Sequence, residues 1–185
     1  MNGVVTDSAF LGNGPDATAD KLHSKLALSG DGSTMIVPVL GLYDVAFVNT
    51  EDATAMTTIS LPQTTDKIVS LETNNDASKF VIRMDNTFYA YSMFEGVGSL
   101  DYQTTDSEFI GSEYKLSADG NRLAISNPDI NDGRGVVTIY QKTDTGYNVV
   151  TQIQNTNGQP QDKFGSSIDF SSNGELLFSA SPYAD

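Results

Sequence analysis

Apolar and polar residues alternate one by one over several short stretches of the chain. Tyr114 and Leu116 interleave with Lys115 and Ser117, and Ile168 and Phe170 interleave with Asp169 and Ser171. A period of two marks a strand with one buried face. Each stretch runs into a turn of recurring chemistry: Ser29-Gly30-Asp31-Gly32, Ser117-Ala118-Asp119-Gly120 and Ser171-Ser172-Asn173-Gly174. Gly32, Gly120 and Gly174 supply the positive φ that a tight reversal needs, and Asp or Asn before them tolerates the turn. Beyond the turn the apolar residues become continuous, as Met35–Val37, Leu123–Ile125 and Leu176–Phe178. Such a strand is expected to be buried on both faces, as in the middle of a sheet.

Four segments share this pattern: Leu22–Val37, Lys67–Ile82, Ile110–Ile125 and Phe164–Ser179. Their turn residues Asp31, Asp76, Asp119 and Asn173 recur at about 45 residues, a period in the range of propeller blades. In the second unit Ala77 replaces the turn glycine, which predicts an irregular blade or a different turn. A second hairpin follows in each unit, clearest from Gly133 to Gln154 around Asp144-Thr145-Gly146. Thr87–Gly96 and Leu42–Thr54 take the equivalent place. Ala19–Leu28 has some helical character but falls within the repeat register and is read as strand. The prediction is an all-β chain, a β-propeller or propeller arc of about four four-stranded blades. Residues 1–185 form a single repeat domain, with units at 20–64, 65–107, 108–161 and 162–185, the last completed by 1–11.

Charge narrows the partners. The net charge of −14 comes from 24 acidic and 10 basic residues. A field of that sign repels a phosphate backbone and an anionic membrane, which argues against nucleic-acid binding. It serves solubility, or lets acidic loops gather cations or meet a basic partner. The longest apolar stretch, Met35–Val48, is broken by Pro38, Gly41 and Asp44 and is too short to span a bilayer, so direct membrane insertion is not expected. No signal peptide is visible at the start. There is no cysteine, hence no disulfide framework and no thiolate metal site.

Catalytic signatures are sparse. His23 is the one histidine, so a serine-type triad or a two-histidine metal site lacks parts. Ser24 and Ser112 lie in no nucleophile elbow, and no phosphate-binding loop of the P-loop type is present. The pairs Glu51-Asp52 and Asp106/Glu108 are read as solvated loop charges, since acid–base work needs convergence in a pocket. Phe88, Tyr89, Tyr91 and Phe94 split between the two faces of one strand and are read as blade packing, with a carbohydrate-stacking platform as the alternative. The richest oxygen cluster is Asn127-Pro128-Asp129-Ile130-Asn131-Asp132-Gly133. Asp129, Asn131 and Asp132 are the calcium candidates, although Tyr140 stands where an EF-hand would need glutamate. A plain Asp/Asn/Gly turn is the other reading; no other cofactor is expected.

The run from Gly133 to Asp185 resembles the FG-GAP repeat of integrin α-subunit propellers and bacterial surface proteins. Phe164-Gly165 carries the likeness, with the small tract Ser179-Ala180-Ser181, Pro182 and Asp185; Ile110-Gly111 and Ser126-Asn127-Pro128 match in the third unit. Residues 22–98 match weakly, with His23 and Ile68 at the glycine positions. FG-GAP repeats often carry a D-x-D-x-D-G calcium loop, whereas the spacing at Asp129 is one residue shorter. The family usually forms seven blades, so four units imply an arc or an unusually small ring. The opening Gly3–Phe10 is similar to Gly133–Tyr140, the half that the last unit lacks; either it completes the blade begun at Phe164, or the sequence is a piece of a larger protein cut in register with its repeats. The resemblance implies a non-catalytic adhesion or interaction module, extracellular or on a cell or virion surface, binding protein or glycan. A rival reading is a propeller hydrolase of the lactonase type with an axial metal. It needs acids from several blades, and no acid is read as recurring at one register outside the turns. A cement protein of a capsid or filament is a third.

Overall fold

The computed structural model describes residues 25–39, 44–62, 68–105, 107 and 111–184. The first sheet contains β1 (Ala27–Leu28), β2 (Thr34–Val39), β3 (Asp44–Asn49) and β4 (Ala55–Ser60). The second contains β5 (Ile68–Thr73), β6 (Lys79–Met84), β7 (Thr87–Phe94) and β8 (Val97–Thr104). The third contains β9 (Glu113–Leu116), β10 (Arg122–Asn127), β11 (Val136–Thr143) and β12 (Gly146–Ile153). The fourth is a two-stranded hairpin, β13 (Ile168–Phe170) and β14 (Leu177–Ser179). Strands pair with their sequence neighbours, all antiparallel. The predicted strand at Ala27–Leu28 is present, while the rest of 19–28 up to Ser24 lies outside the described residues.

Alternation then decides how the sheets stack. Residues at i and i+2 share a face, and the two faces of each sheet meet different neighbours. Leu71, Phe80 and Ile82 pack with Ile36, Val45 and Phe47 of the first sheet. Val81, Phe88 and Ala90, on the opposite face, pack with Tyr114, Leu116 and Leu123 of the third. Ala124 and Val137 repeat the arrangement against Ile168 of the fourth. The innermost strands β1, β5, β9 and β13 touch in series, and β4, β8 and β12 touch at the outer rim. Sheets packed face to face in chain order around a common inner edge are propeller blades. A middle strand such as β6 or β10 is therefore buried on both faces, as its continuous apolar sequence predicts.

The repeated turn is a hydrogen-bond hub. In the first blade the Ser29 hydroxyl donates to Asp31 Oδ1 (2.7 Å) and accepts from Thr34 N (2.9 Å), and Ser33 N donates to Asp31 Oδ1 (2.9 Å). Ser117 and Asp119 repeat this with Arg122 N and Asn121 N (2.9 and 3.0 Å), and Ser171 and Asn173 with Leu176 N and Glu175 N (3.0 and 3.2 Å). The second blade corrects the expectation of a different turn. Asn74 takes the serine's place, donating to Asp76 Oδ1 (2.9 Å) and accepting from Lys79 N (2.9 Å). Ala77 holds φ +56 where Gly32, Gly120 and Gly174 hold +74, +66 and +69. The hub is strong enough to keep alanine in a left-handed conformation that costs a side-chain-bearing residue about 1 kcal/mol. Because Ser117 is buried, Ser117→Ala strands the Arg122 amide and should cost about 2 kcal/mol in urea unfolding. Ser171→Ala, at a solvated hub, should cost about 0.5 kcal/mol.

The fourth blade departs from prediction. Leu176 and Phe178 were expected inside a middle strand, but both are exposed, because no following sheet covers that face among the described residues. The predicted completion by residues 3–10 lies outside the described residues.

Candidate functional site

Both hairpins of a blade turn at the same end, which gathers the loops on one side of the arc. Thr50 N reaches Ser33 O (3.1 Å), Met93 N reaches Ser78 O (2.7 Å) and Lys142 N reaches Asn121 O (2.7 Å). Neighbouring hubs are joined in turn: Asp31 N donates to Asn75 O (2.9 Å) and Asn75 N to Ala118 O (3.0 Å). Lys79 Nζ bonds Asp119 O (2.9 Å) and Asn121 Oδ1 (2.7 Å), and Arg122 bonds Gly174 O (2.8 Å). The result is a rigid loop face carrying the exposed acids Asp31, Asp52, Asp76, Glu95, Asp119 and Asp144. The hydroxyls of Ser29, Thr54 and Ser78 hold the Asp31, Asp52 and Asp76 carboxyls below the usual range. At Asp119 burial pushes upward but is outweighed by hydrogen bonds from Ser117 and Asn121 and by the Lys79 charge. These groups therefore stay charged below ordinary carboxylate pH. Beside them the β7–β8 tip leaves Phe94 and Val97 75% and 67% exposed. That tip is braced by Thr57 Oγ1 donating to Gly96 O (2.9 Å).

A groove of about 270 Å³ opens between the second and third blades, lined by Ser92, Asp101, Tyr102, Lys142 and Tyr147. Ser92 Oγ donates to Asp101 Oδ2 (2.5 Å), and Lys142 Nζ lies 2.5 Å from the same oxygen and 3.0 Å from Ser92 Oγ. Burial pushes the Asp101 carboxyl up, but the Lys142 and Ser92 bonds outweigh it and hold it below its ordinary value. A nucleophilic serine needs a partner able to take its proton. A depressed carboxylate is a poor base, and the amine is spent on the ion pair, so the trio clamps two blades together. Its sign follows from the depressed carboxyl: the stabilisation is present above the unfolded value of 3.8 and is lost as pH falls through the lower folded value. Lys142→Met leaves Asp101 half-buried without its cation and should cost about 1–2 kcal/mol at neutral pH, between exposed and buried pairs. It should also raise the acid-unfolding midpoint followed by circular dichroism.

At the inner edge, Glu72, Lys115 and Asp169 occupy one register, each four residues before its turn Asp or Asn. This corrects the reading that no acid recurs outside the turns; the lysine between the two acids hides the recurrence. Lys115 Nζ sits 3.2 Å from Glu72 Oε1. Burial pushes the Glu72 carboxyl up, partly offset by Lys115, and Glu113 and Asp169 add to the rise. Glu113 Oε2 accepts from Ile168 N (2.8 Å). The Lys115 ammonium is thus paired with Glu72 at the inner edge, beside the third- and fourth-blade strands.

The calcium candidates lie at the opposite end from the hubs. Asp129 Oδ1 is 2.7 Å from Lys163 Nζ, and the exposed Asp132 carboxylate is 3.6 Å from Arg134. Asn131 and Asp132 hold φ of +56 and +60, and the Asp132 carbonyl accepts from Gln161 N (3.0 Å). A hard cation needs several converging oxygens, and no group of three or more acidic or histidine side chains suited to a metal occurs among the described residues. The loop joins β10 to β11 within the third blade and is tied by backbone bonds to the segment leading to the fourth. Of the aromatic set, Phe88, Tyr89 and Tyr91 are buried, with Phe88 stacked near Tyr114 (6.1 Å); only Phe94 is available to a partner. Asp52 and Asn49 cap their own hairpin tip through Thr54 and Glu51 amides (3.0 and 2.8 Å). His23, Ser24, Asp106 and Glu108 lie outside the described residues. Sequence reasoning missed Ser92, Asp101 and Lys142, which no local spacing connects.

No family model matches the sequence. No curated protein matches it either. Solved structures do. The Cps50 (Swd1) β-propeller domain of Myceliophteria thermophila aligns with a TM-score of 0.55 at 12% identity, over 83% of this chain and 47% of that one. A putative 6-phosphogluconolactonase from Bacteroides fragilis aligns at 0.54 and 16% identity, over 91% of this chain and 50% of that one. The chain spans about half the length of these structures. At such identities the likeness speaks for architecture, and it agrees with the stacked sheets: the chain is an arc of a β-propeller.

Proposed function

We propose that the chain is a non-catalytic interaction module, displayed in an extracellular, cell-surface or virion-surface setting, that binds a protein partner through the loop face; a glycan is the alternative ligand. The observation that carries this reading is an exposed apolar tip, Phe94 and Val97, on a loop face that also carries exposed acids such as Asp76 and Glu95. Aromatic anchors ringed by polar groups are the usual centre of a recognition surface. The matching partner surface is basic, with an apolar pocket. The FG-GAP resemblance of Phe164-Gly165 supports the display role. Physically, Gly165 lies against Ser126 and Val137 of the preceding blade, where a Cβ would be 3.1 Å from both side chains.

The test is pull-down from surface-protein and glycan libraries with the chain and with Phe94→Asp. Binding lost in Phe94→Asp, with circular dichroism unchanged, is the expected result. Ligands retained equally by both proteins, or turnover of a lactone or ester substrate abolished by Ser92→Ala, would sink the proposal.

A further inference from the structure

The outer strand of each four-stranded blade carries one extra residue. The pairing of β3 with β4 skips Met56, that of β7 with β8 skips Asp101, and that of β11 with β12 skips Val150. A β-bulge of this kind re-aims the side chain it inserts. Met93 and Lys142 also hold equivalent positions, since their amides reach Ser78 O and Asn121 O in the same way. Between the first and second blades the two positions are therefore Met56 and Met93, and Met93 packs against the core cluster there. Between the second and third they are Asp101 and Lys142, and the groove of about 270 Å³ opens beside them. The fold closes the first junction with apolar side chains, so closure alone does not call for an ion pair at the second.

Three polar groups in the groove have bonding capacity to spare. Tyr147 pairs with Lys142 across β11 and β12, so their side chains share a face. Tyr147 is 6% exposed, yet nothing among the described residues bonds its hydroxyl. That oxygen is not sealed in, because the fully buried side-chain oxygens without partners are those of Ser126 and Ser179. Burial and the Asp101 charge push the hydroxyl up, so it stays protonated and can donate. Lys142 Nζ has three N–H donors and two partners, Ser92 and Asp101. Asp101 Oδ1 accepts only a long bond from Ser99 Oγ (3.2 Å). The apolar wall is the half-buried Tyr102, whose ring lies against Gly146: a Cβ there would stand 2.3 Å from its Cδ2.

Charge and size select the ligand class. Asp101 and Lys142 already neutralise each other, so a charged ligand would bring in an ion without a partner. Hydroxyl groups donate and accept at once, which suits a donor in Lys142, an acceptor in Asp101 and hydroxyls that do both. The volume is just below the range of about 300 Å³ upward that holds drug-sized ligands, and leaves room for one small ring. We propose that this groove binds one neutral sugar ring, its hydroxyls bonding Tyr147 Oη, Lys142 Nζ and Asp101 Oδ1 and its C–H face lying on Tyr102. The site stands apart from the Phe94 tip and does not depend on what that tip binds.

Titration of isotopically labelled protein with glucose, galactose and mannose, and with their methyl glycosides, tests this by chemical-shift change. At least one sugar is expected to bind saturably with a Kd near about 1 mM, moving Ser92, Tyr102 and Tyr147 together. Binding kept by the methyl glycoside points to the end residue of a glycan, and binding lost points to a free sugar; either result supports the site. Tyr147→Phe removes only the hydroxyl and should weaken binding about fivefold, with circular dichroism unchanged. Tyr102→Leu, which removes the aromatic face, should weaken it at least as much. Phe94→Asp should bind sugar as the wild type does, which separates this site from the loop-face partner. The proposal is overturned if no sugar moves those three residues, if the shifts centre elsewhere on the arc, or if Tyr147→Phe and Tyr102→Leu both bind as tightly as the wild type.

Discussion

Gly135→Ala is expected to destabilise the protein by about 3–5 kcal/mol, enough to remove a large share of a typical domain's stability. Gly135 holds φ +81, and a Cβ there would stand 2.0 Å from the Phe164 carbonyl oxygen and 2.8 and 2.9 Å from its carbon and nitrogen. The obstacle is backbone and cannot rotate away. Nor can it retreat freely: Phe164 N donates to Arg134 O (3.2 Å) and Lys163 N to Gly133 O (2.8 Å), tying the two loops edge to edge. Left-handed strain of about 1–3 kcal/mol adds to loss of bonds worth about 1 kcal/mol each. Gly96 is the internal control. Its φ is +77, but a Cβ meets nothing within 4 Å, so Gly96→Ala should cost only the strain, about 1 kcal/mol. Urea unfolding followed by circular dichroism separates the two; equal losses would show that the loops between the third and fourth blades are not packed as described.

The second large effect is at Phe80. Its side chain is fully buried at the junction of the first two blades, stacked on Tyr91 (4.9 Å, 4°) and edge-on to Phe47 (5.4 Å, 71°). Phe80→Ala should cost about 3–5 kcal/mol, from lost burial plus the cavity left behind. Phe94→Ala, at an exposed tip, should change stability by less than about 0.5 kcal/mol. Because each blade touches only its neighbours, the Phe80 defect should loosen β1–β8 first. Hydrogen exchange is expected to rise there before it rises in β10 and β11. A uniform loss of protection would mean that the blades do not behave as separate units.

What could be read from sequence was what short-range chemistry controls. The hub turns were legible because their bonds link residues two to five apart, as in Ser117, Asp119, Asn121 and Arg122. Face assignment followed from alternation at Tyr114 and Leu116, and the continuous run Leu123–Ile125 was read as buried on both sides; all of these are in the core. Ala77 misled because propensity favours glycine there, while the Asn74–Asp76–Ser78 bonds overrule it. Leu176–Phe178 misled because an apolar run reports what could be buried, and burial also needs a neighbouring sheet. The Ser92–Asp101–Lys142 clamp had no sequence signature at all. Ser92 and Asp101 lie across one hairpin, and Lys142 arrives from the next blade, 41 residues beyond Asp101, only once the sheets stack. For the same reason the loop face could be expected in general terms, but Phe94 as its one exposed aromatic of the four considered could not.

The arc of separate blades is tested most directly by cross-strand contacts in the NMR spectrum of isotopically labelled protein. The account predicts Hα–Hα or amide contacts at Leu71/Ile82, Phe80/Tyr91, Tyr114/Ile125 and Ser126/Val137, each within one sheet. Between sheets it predicts side-chain contacts such as Val81 with Tyr114 and backbone contacts only at the joined turns, as between Asp31 and Asn75. Ladder contacts running from a strand of one unit into a strand of another, for example β4 alongside β9, would show a continuous sandwich and contradict it.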